Sequence, residues 1–141
     1  MVDLSAYTGS LLWLGILLLM VMVQWVIASG AKAKRPGAIP GVIPAELGHG
    51  DFVFRAWRTH QNTVENLGTI LGGAVLAILA GASPVWVNVL LTIIVLGRLL
   101  HMILYYSIAT EKNPSPRSWF FILAWLANLA LIILGIVAVI K

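Results

Sequence analysis

Three uncharged stretches constrain this chain more than any other feature. No Asp, Glu, Lys or Arg occurs from Leu4 to Ala31, between Glu65 and Arg98, or from Trp119 to Ile140. About 20 predominantly apolar residues suffice to cross the hydrocarbon of a bilayer as a helix. The first and last stretches each hold one such span. The middle one is interrupted by Gly81-Ala82-Ser83-Pro84, a turn signal, and divides into two spans joined by a tight hairpin. The expected fold is all-α: an integral membrane four-helix bundle occupying 1–141 as a single domain. Its helices are expected at about 8–31, 51–82, 85–108 and 117–140.

Composition agrees. The chain is 60% hydrophobic and only 10% charged, against about 25% charged in an average soluble domain. Disorder is excluded and an ordinary water-soluble domain is disfavoured. The formal net charge of +4 is too small and scattered to indicate nucleic acid, so no nucleic-acid partner is expected. Cysteine is absent, which removes disulfides, thiolate metal sites and cysteine nucleophiles. Any sulfur chemistry must use a sulfur brought in from outside. Met1-Val2-Asp3-Leu4-Ser5 carries an acid where a signal peptide carries basic residues, so the first span is expected to be retained.

Proline and glycine are concentrated between Arg35 and Gly50, where Pro36, Pro40 and Pro44 recur every four residues. That spacing forbids a helix and predicts a semi-extended loop. Asn113-Pro114-Ser115-Pro116 is a second break. Lys32, Lys34 and Arg35 follow the first span, and Lys112 and Arg117 follow the third; the opposite side has only Lys141. The positive-inside rule therefore places loops 32–50 and 109–117 in the cytoplasm and both termini on the opposite side.

The informative charges are those that do not lie in loops. On a helix beginning near residue 51, Asp51, Arg55, Arg58, Asn62 and Glu65 are spaced by four, three, four and three, which forms one stripe. A helix from 51 to 82 is roughly 46 Å long, more than a bilayer core, so part of this stripe projects from the lipid or faces protein. A lone ionised side chain at the bilayer centre costs at least about 2.5 kcal/mol, so the stripe implies partners. One reading is that Arg58 and Glu65 pair with neighbours to hold the bundle. The other is a polar ligand pocket, with arginine for a carboxylate, Glu65 for an amine and Asn62 as both donor and acceptor. In the third span Arg98, His101 and Tyr105 stand at i, i+3 and i+7 and share a face, while Tyr106 points elsewhere as an interfacial anchor. His60 and Glu65 are five apart, off one face, and no metal site is expected. Gly72-Gly73 reads as a close contact between helices.

These motifs carry a resemblance. Arg58-Thr59-His60-Gln61-Asn62-Thr63-Val64-Glu65 is similar to the second-helix signature of the membrane-associated proteins in eicosanoid and glutathione metabolism (MAPEG). In the prostaglandin E synthase branch of that family the segment reads Arg-Ala-His-Arg-Asn-Asp-Met-Glu. Arg98 to Tyr105 resembles the same branch's Arg-x-x-His-x-x-x-Tyr pattern, and Arg117-Ser118 its Arg-Ser pair opening the fourth helix. Departures are Thr63 in place of an aspartate, Asn66 where several glutathione-using members have tyrosine, and a longer stretch between Tyr105 and Arg117.

The resemblance implies a homotrimer with glutathione bound between subunits. Arg58, Asn62, Glu65, Arg98, His101 and Tyr105 would hold the glutathione, with Arg117 facing its sulfur and Ser118 beside it. Lys32, Lys34 or Arg35 of a neighbouring subunit would join them. The implied function is a membrane-bound glutathione-dependent transferase or peroxidase. It would activate the thiolate against a lipophilic electrophile arriving from the membrane lipid. A non-enzymatic lipid-binding or scaffold member of the same fold is the alternative, and retention of both Arg58 and Glu65 favours the enzyme. A small drug exporter usually needs a carboxylate in its first span, and here there is none.

Overall fold

A computed structural model describes residues 3–141. Four long helices follow a one-turn 3-10 helix at Leu4–Tyr7: α1 (Thr8–Ala33), α2 (Phe52–Leu79), α3 (Pro84–Ser107) and α4 (Pro116–Ile140). All four are long and apolar enough to cross a membrane, and the chain is a multi-pass integral membrane protein. Large apolar side chains cover the outside, among them Leu12, Leu19, Leu79, Val85 and Val139. A water-soluble monomer rarely exposes apolar surface on that scale; hydrocarbon accepts it.

The helix boundaries fall within three residues of the sequence expectation, and each has a local cause. Asp51 caps α2, its carboxylate accepting from Val53 N at 2.7 Å, and the same side chain forms an ion pair with Arg35. The expected end of α2 at 82 moves back to Leu79. There the Gly81 N–H reaches the Ile78 carbonyl and the Ala82 N–H reaches the Ala77 carbonyl, with Gly81 at φ +69°. This is the paired closure that glycine permits just past a helix end. Pro84 then opens α3, where its missing N–H costs nothing. Pro116 opens α4 in the same way, next to a capping box between Ser115 and Ser118.

Between α1 and α2 the proline-rich segment runs as a series of turns, with Gly37 and Gly41 at positive φ. It lies at the same end of the bundle as the α3–α4 connection. The opposite end is closed by Tyr7, whose buried hydroxyl donates to the Ala82 carbonyl in the α2–α3 hairpin.

The core is built from small and branched side chains, including Ala74, Ala77, Val87, Leu91, Ile94 and Leu131. Small residues matter because lipid tails give helices no hydrophobic reason to associate, so close packing must supply the attraction. A Cβ on Gly97 would stand 3.1 Å from the Phe120 carbonyl oxygen, and one on Gly135 3.0 Å from Ala77 N. These glycines set how near α4 comes to α3 and α2. The expected Gly72-Gly73 contact divides: a Cβ on Gly73 would meet Ile132 at 2.9 Å, whereas Gly72 has nothing within 4 Å.

Candidate functional site

The stripe on α2 does not act as one unit, and helix geometry says why. At about 100° per residue, Arg55 stands about 40° to one side of Asp51 and Asn62 about 20°; Arg58 and Glu65 lie about 20° and 40° to the other. The bundle interior faces the first edge. Arg55 is buried and Asn62 half-buried, while Glu65 lies on the exposed edge. Thr59 and Thr63, further round on the inner side, are fully buried.

Each edge makes different contacts. Arg58 Nη1 donates to Glu65 Oε1 at 2.8 Å, with a second contact of 3.4 Å between Nη2 and Oε2. The two residues thus pair with each other along the exposed edge of α2, not with neighbouring helices of the bundle. Arg55 instead folds under the loop, giving hydrogen bonds to the carbonyls of His49 (2.8 Å), Gly50 (3.0 Å) and Tyr106 (3.4 Å).

The α3 stripe is buried throughout, with Arg98, His101 and Tyr105 exposed by 2%, 4% and 6%. Arg98 Nη2 donates to Asn62 Oδ1 at 2.8 Å and to Thr63 Oγ1 at 3.0 Å. Thr63 stands where the resemblance would have aspartate, so Arg98 meets a hydroxyl rather than a carboxylate. The Phe121 ring lies 5.6 Å from the Arg98 Cζ and 6.0 Å from the His101 ring. His101 packs edge-on to Tyr105 at 5.5 Å, and Arg117 lies over the Tyr105 ring at 4.1 Å. A continuous ladder thus runs from Asn62 through Arg98, Phe121, His101 and Tyr105 to Arg117, ending at the loop side of the bundle.

The ladder has unfilled hydrogen-bonding capacity. Arg98 Nε, His101 Nδ1 and Arg117 Nη1 are buried without a partner. Arg117 has one hydrogen bond, from Nη2 to the Thr110 carbonyl at 3.3 Å. Among the described residues neither Arg98 nor Arg117 is paired with an acid; the ion pairs are Arg35–Asp51 and Arg58–Glu65. Buried charge without a counter-charge is costly, so an acceptor for these two guanidiniums is the chemistry this site lacks.

The sequence pattern of the MAPEG family matches residues 8–137. The chain belongs to the MAPEG family. That family contains glutathione-dependent enzymes. No curated protein and no solved structure gives a significant match.

In this MAPEG chain Ser118 is occupied locally. Its hydroxyl accepts from Ser115 N at 3.1 Å and lies 3.2 Å from Ser115 Oγ. Lys32 is on the far side of α2 from the ladder, in an open hollow of about 280 Å³ that it shares with Trp25, Ser29, Trp57, His60 and Gln61. Arg35 is committed to Asp51. Tyr106, expected as an interfacial anchor, packs its ring on Phe52 at 5.6 Å and buries its hydroxyl without a partner. A small cleft of about 10 Å³ beside Arg98, room for about one water, is lined by Asn66, Ile70, Phe121, Ala124, Trp125 and Asn128.

Sequence reasoning passed over His49, whose Nδ1 lies 3.3 Å from the Tyr105 hydroxyl. The available signal was small: one titratable side chain between two glycines, just ahead of the capping Asp51. Asn128 was also passed over. It donates to Thr69 Oγ1 at 2.9 Å and leaves Oδ1 buried without a partner.

Proposed function

We propose that this chain is a membrane-bound glutathione-dependent transferase that directs a thiolate at lipophilic electrophiles. One observation carries the reading: Arg98 and Arg117 are buried, each has an N–H without an acceptor, and among the described residues neither is paired with a carboxylate. Their positions match a tripeptide in length. The seven residue steps from Arg98 to Tyr105, over which Arg117 lies, rise about 10 Å along the helix, and three extended residues span about 10 Å. The charge matches as well. Glutathione with its thiol ionised carries two carboxylates, one ammonium and one thiolate, a net of two negative charges opposite in sign to the ladder's Arg98 and Arg117. A third buried arginine without a carboxylate among the described residues, Arg55, is taken up by loop carbonyls.

The roles follow from residue chemistry. Arg98, with Asn62 beside it, suits a carboxylate. Arg58 and Glu65 suit the amino-acid end, which has both an ammonium and a carboxylate. Arg117 stabilises negative charge on sulfur, because a cation beside a thiol lowers its pKa and raises the share of nucleophile. Glutathione, when bound, supplies the sulfur that a chain without cysteine lacks. The electrophile comes from the lipid, and bond formation to sulfur expels its leaving group or opens its strained ring.

The Arg58–Glu65 pair supports assembly. With the Leu79 end of α2 set at one membrane boundary, the roughly 30 Å core reaches back about 20 residues. Glu65 then lies inside the hydrocarbon with about half of its side chain exposed. Another copy of the chain covering this edge removes that cost, in keeping with a homotrimer whose sites lie between subunits. The basic loops orient the site toward the cytoplasm.

Calorimetric titration of the folded, detergent-purified protein with glutathione tests the proposal. Saturable binding is expected, weakened by Arg98→Ala. Absence of binding by a correctly folded trimer overturns the reading.

A further inference from the structure

His49 meets the ladder from outside the helices, and its contact is held in place from several directions. Its carbonyl accepts from Arg55, which also grips Gly50 and Tyr106. Its ring stands edge-on to Phe54 at 5.0 Å and lies 5.7 Å from the Tyr105 ring. The ring nitrogen is then 3.3 Å from the Tyr105 hydroxyl. Two neighbouring elements are braced against the same segment: Asp51 is fixed by Arg35, and Gly48 lies close to Glu111.

The charged groups around the imidazole come from three elements. Arg117 faces it from α4, Arg55 and Arg58 from α2, and Glu111 from the α3–α4 loop. Burial lowers its pKa below the ordinary histidine value and Arg117 lowers it further; Glu111 pulls the other way, and Arg55 and Arg58 add to the lowering. The ring is therefore neutral at neutral pH and keeps one nitrogen lone pair.

A thiol held beside Arg117 needs somewhere to send its proton. Arg117 stays protonated and cannot take it. A tyrosine of ordinary pKa, about 10, holds its own proton more tightly than a thiol of about 8.5. Glu65 is engaged by Arg58, and no hydrogen bond joins His101 to Tyr105, whose rings meet edge-on. His49 is the neutral base in contact with Tyr105.

We propose that His49 is the positioning residue and proton acceptor of this site, acting through the Tyr105 hydroxyl; this rests on the thiol-binding reading above. The thiol S–H bond breaks and its proton bonds to Tyr105 Oη. The Tyr105 O–H bond breaks and that proton bonds to His49 Nδ1. The electron pair stays on sulfur beside Arg117, Tyr105 ends neutral, and the imidazolium returns its extra proton to water at the loop end of the bundle.

Stopped-flow measurement of thiolate ultraviolet absorbance on mixing full-length protein with glutathione tests this, together with calorimetry on the same samples. His49→Gln keeps a hydrogen-bonding side chain but does not titrate. It is expected to retain glutathione affinity and to form thiolate about tenfold or more slowly, with the histidine limb missing from its pH profile. Added imidazole is expected to restore the rate in His49→Ala, and Tyr105→Phe to abolish that rescue. In the unsubstituted protein, histidine NMR is expected to show the His49 titration midpoint rising when glutathione binds, a readout that does not depend on any variant folding. Wild-type thiolate formation and pH profile in a His49→Gln protein that binds glutathione would overturn the role of His49 alone. A His49 midpoint unmoved by bound glutathione would do the same. Failure of the unsubstituted protein to bind glutathione removes the underlying reading as well.

Discussion

Arg117 lies over the Tyr105 ring, its Cζ 4.1 Å from the centroid, with Nη1 buried and without a partner among the described residues. The stack fixes the guanidinium without using all of its donors, a suitable arrangement for charge that appears only when a nucleophile forms. Arg117→Ala is expected to lower conjugation of a hydrophobic electrophile by roughly a hundredfold, while glutathione affinity falls much less. Arg117→Lys restores the charge but not the forked guanidinium, and should recover only part of the rate. Steady-state kinetics with thiolate absorbance separate the two effects; equal losses of rate and affinity in Arg117→Ala would contradict this assignment.

Arg98 and Asn62 predict effects of opposite sign on stability. Asn62→Ala removes the 2.8 Å acceptor and leaves Arg98 with Thr63 alone, a loss of about 1–3 kcal/mol for a buried charged donor. Arg98→Met removes the buried charge itself and should melt at the same or a higher temperature, because apolar replacement of a buried ion is often neutral or stabilising. The same variant should no longer bind glutathione. Thermal melts in detergent and calorimetry read the two properties separately.

Glycine positions divide between packing and open surface. Gly97→Ala places a methyl 3.1 Å from the Phe120 carbonyl and should destabilise by about 1–3 kcal/mol. Gly72→Ala meets nothing within its own chain and should be neutral, or stabilising by up to about 1 kcal/mol through helix propensity. A larger loss in Gly72→Ala that depends on protein concentration would locate a subunit contact there.

Asp51 has two roles that substitution separates. Asp51→Asn keeps a good cap for α2 and removes the ion pair with the partly exposed Arg35, so stability should fall by less than about 1 kcal/mol. Asp51→Ala removes both and should cost about 1 kcal/mol more. Equal melts for the two variants would show that the cap contributes nothing.

The histidine at the loop also gives a stability–pH relation. Because the folded state holds the His49 pKa down, the unfolded chain binds the proton more readily. The contribution is present above the ordinary value of about 6.5 and is lost as pH falls through the folded value. The melting temperature of the wild type should therefore fall more steeply on acidification than that of His49→Gln. Parallel curves would count against the depressed pKa.

The four helices were legible because hydrocarbon demands long uncharged runs, and three such runs with one turn signal leave little freedom. The Arg98, His101, Tyr105 face was legible for a similar reason: i, i+3, i+7 on a regular helix survives folding unchanged. The α2 stripe was legible as polar but not as divided, since a spread of about 80° around the helix becomes two environments only once the position of α4 and α3 is known. Gly97 and Gly135 could not be told from Gly72, because close approach depends on where helices cross. Ser118 reads as a neighbour of Arg117 in sequence, yet a serine three residues after Ser115 at a helix start closes a cap. His49 has no periodicity to reveal it.

Tyr7 closes the hairpin end of the bundle through the Ala82 carbonyl, while both loops and the Arg117 end of the ladder lie at the other. The two faces of the membrane are thus unequal to this protein. On the thiol-binding proposal, a water-soluble ligand would enter from the compartment that bathes the loops, and the concentration and redox state of thiols there would govern its occupancy. The thiol content of the opposite compartment would then be without effect on the ladder.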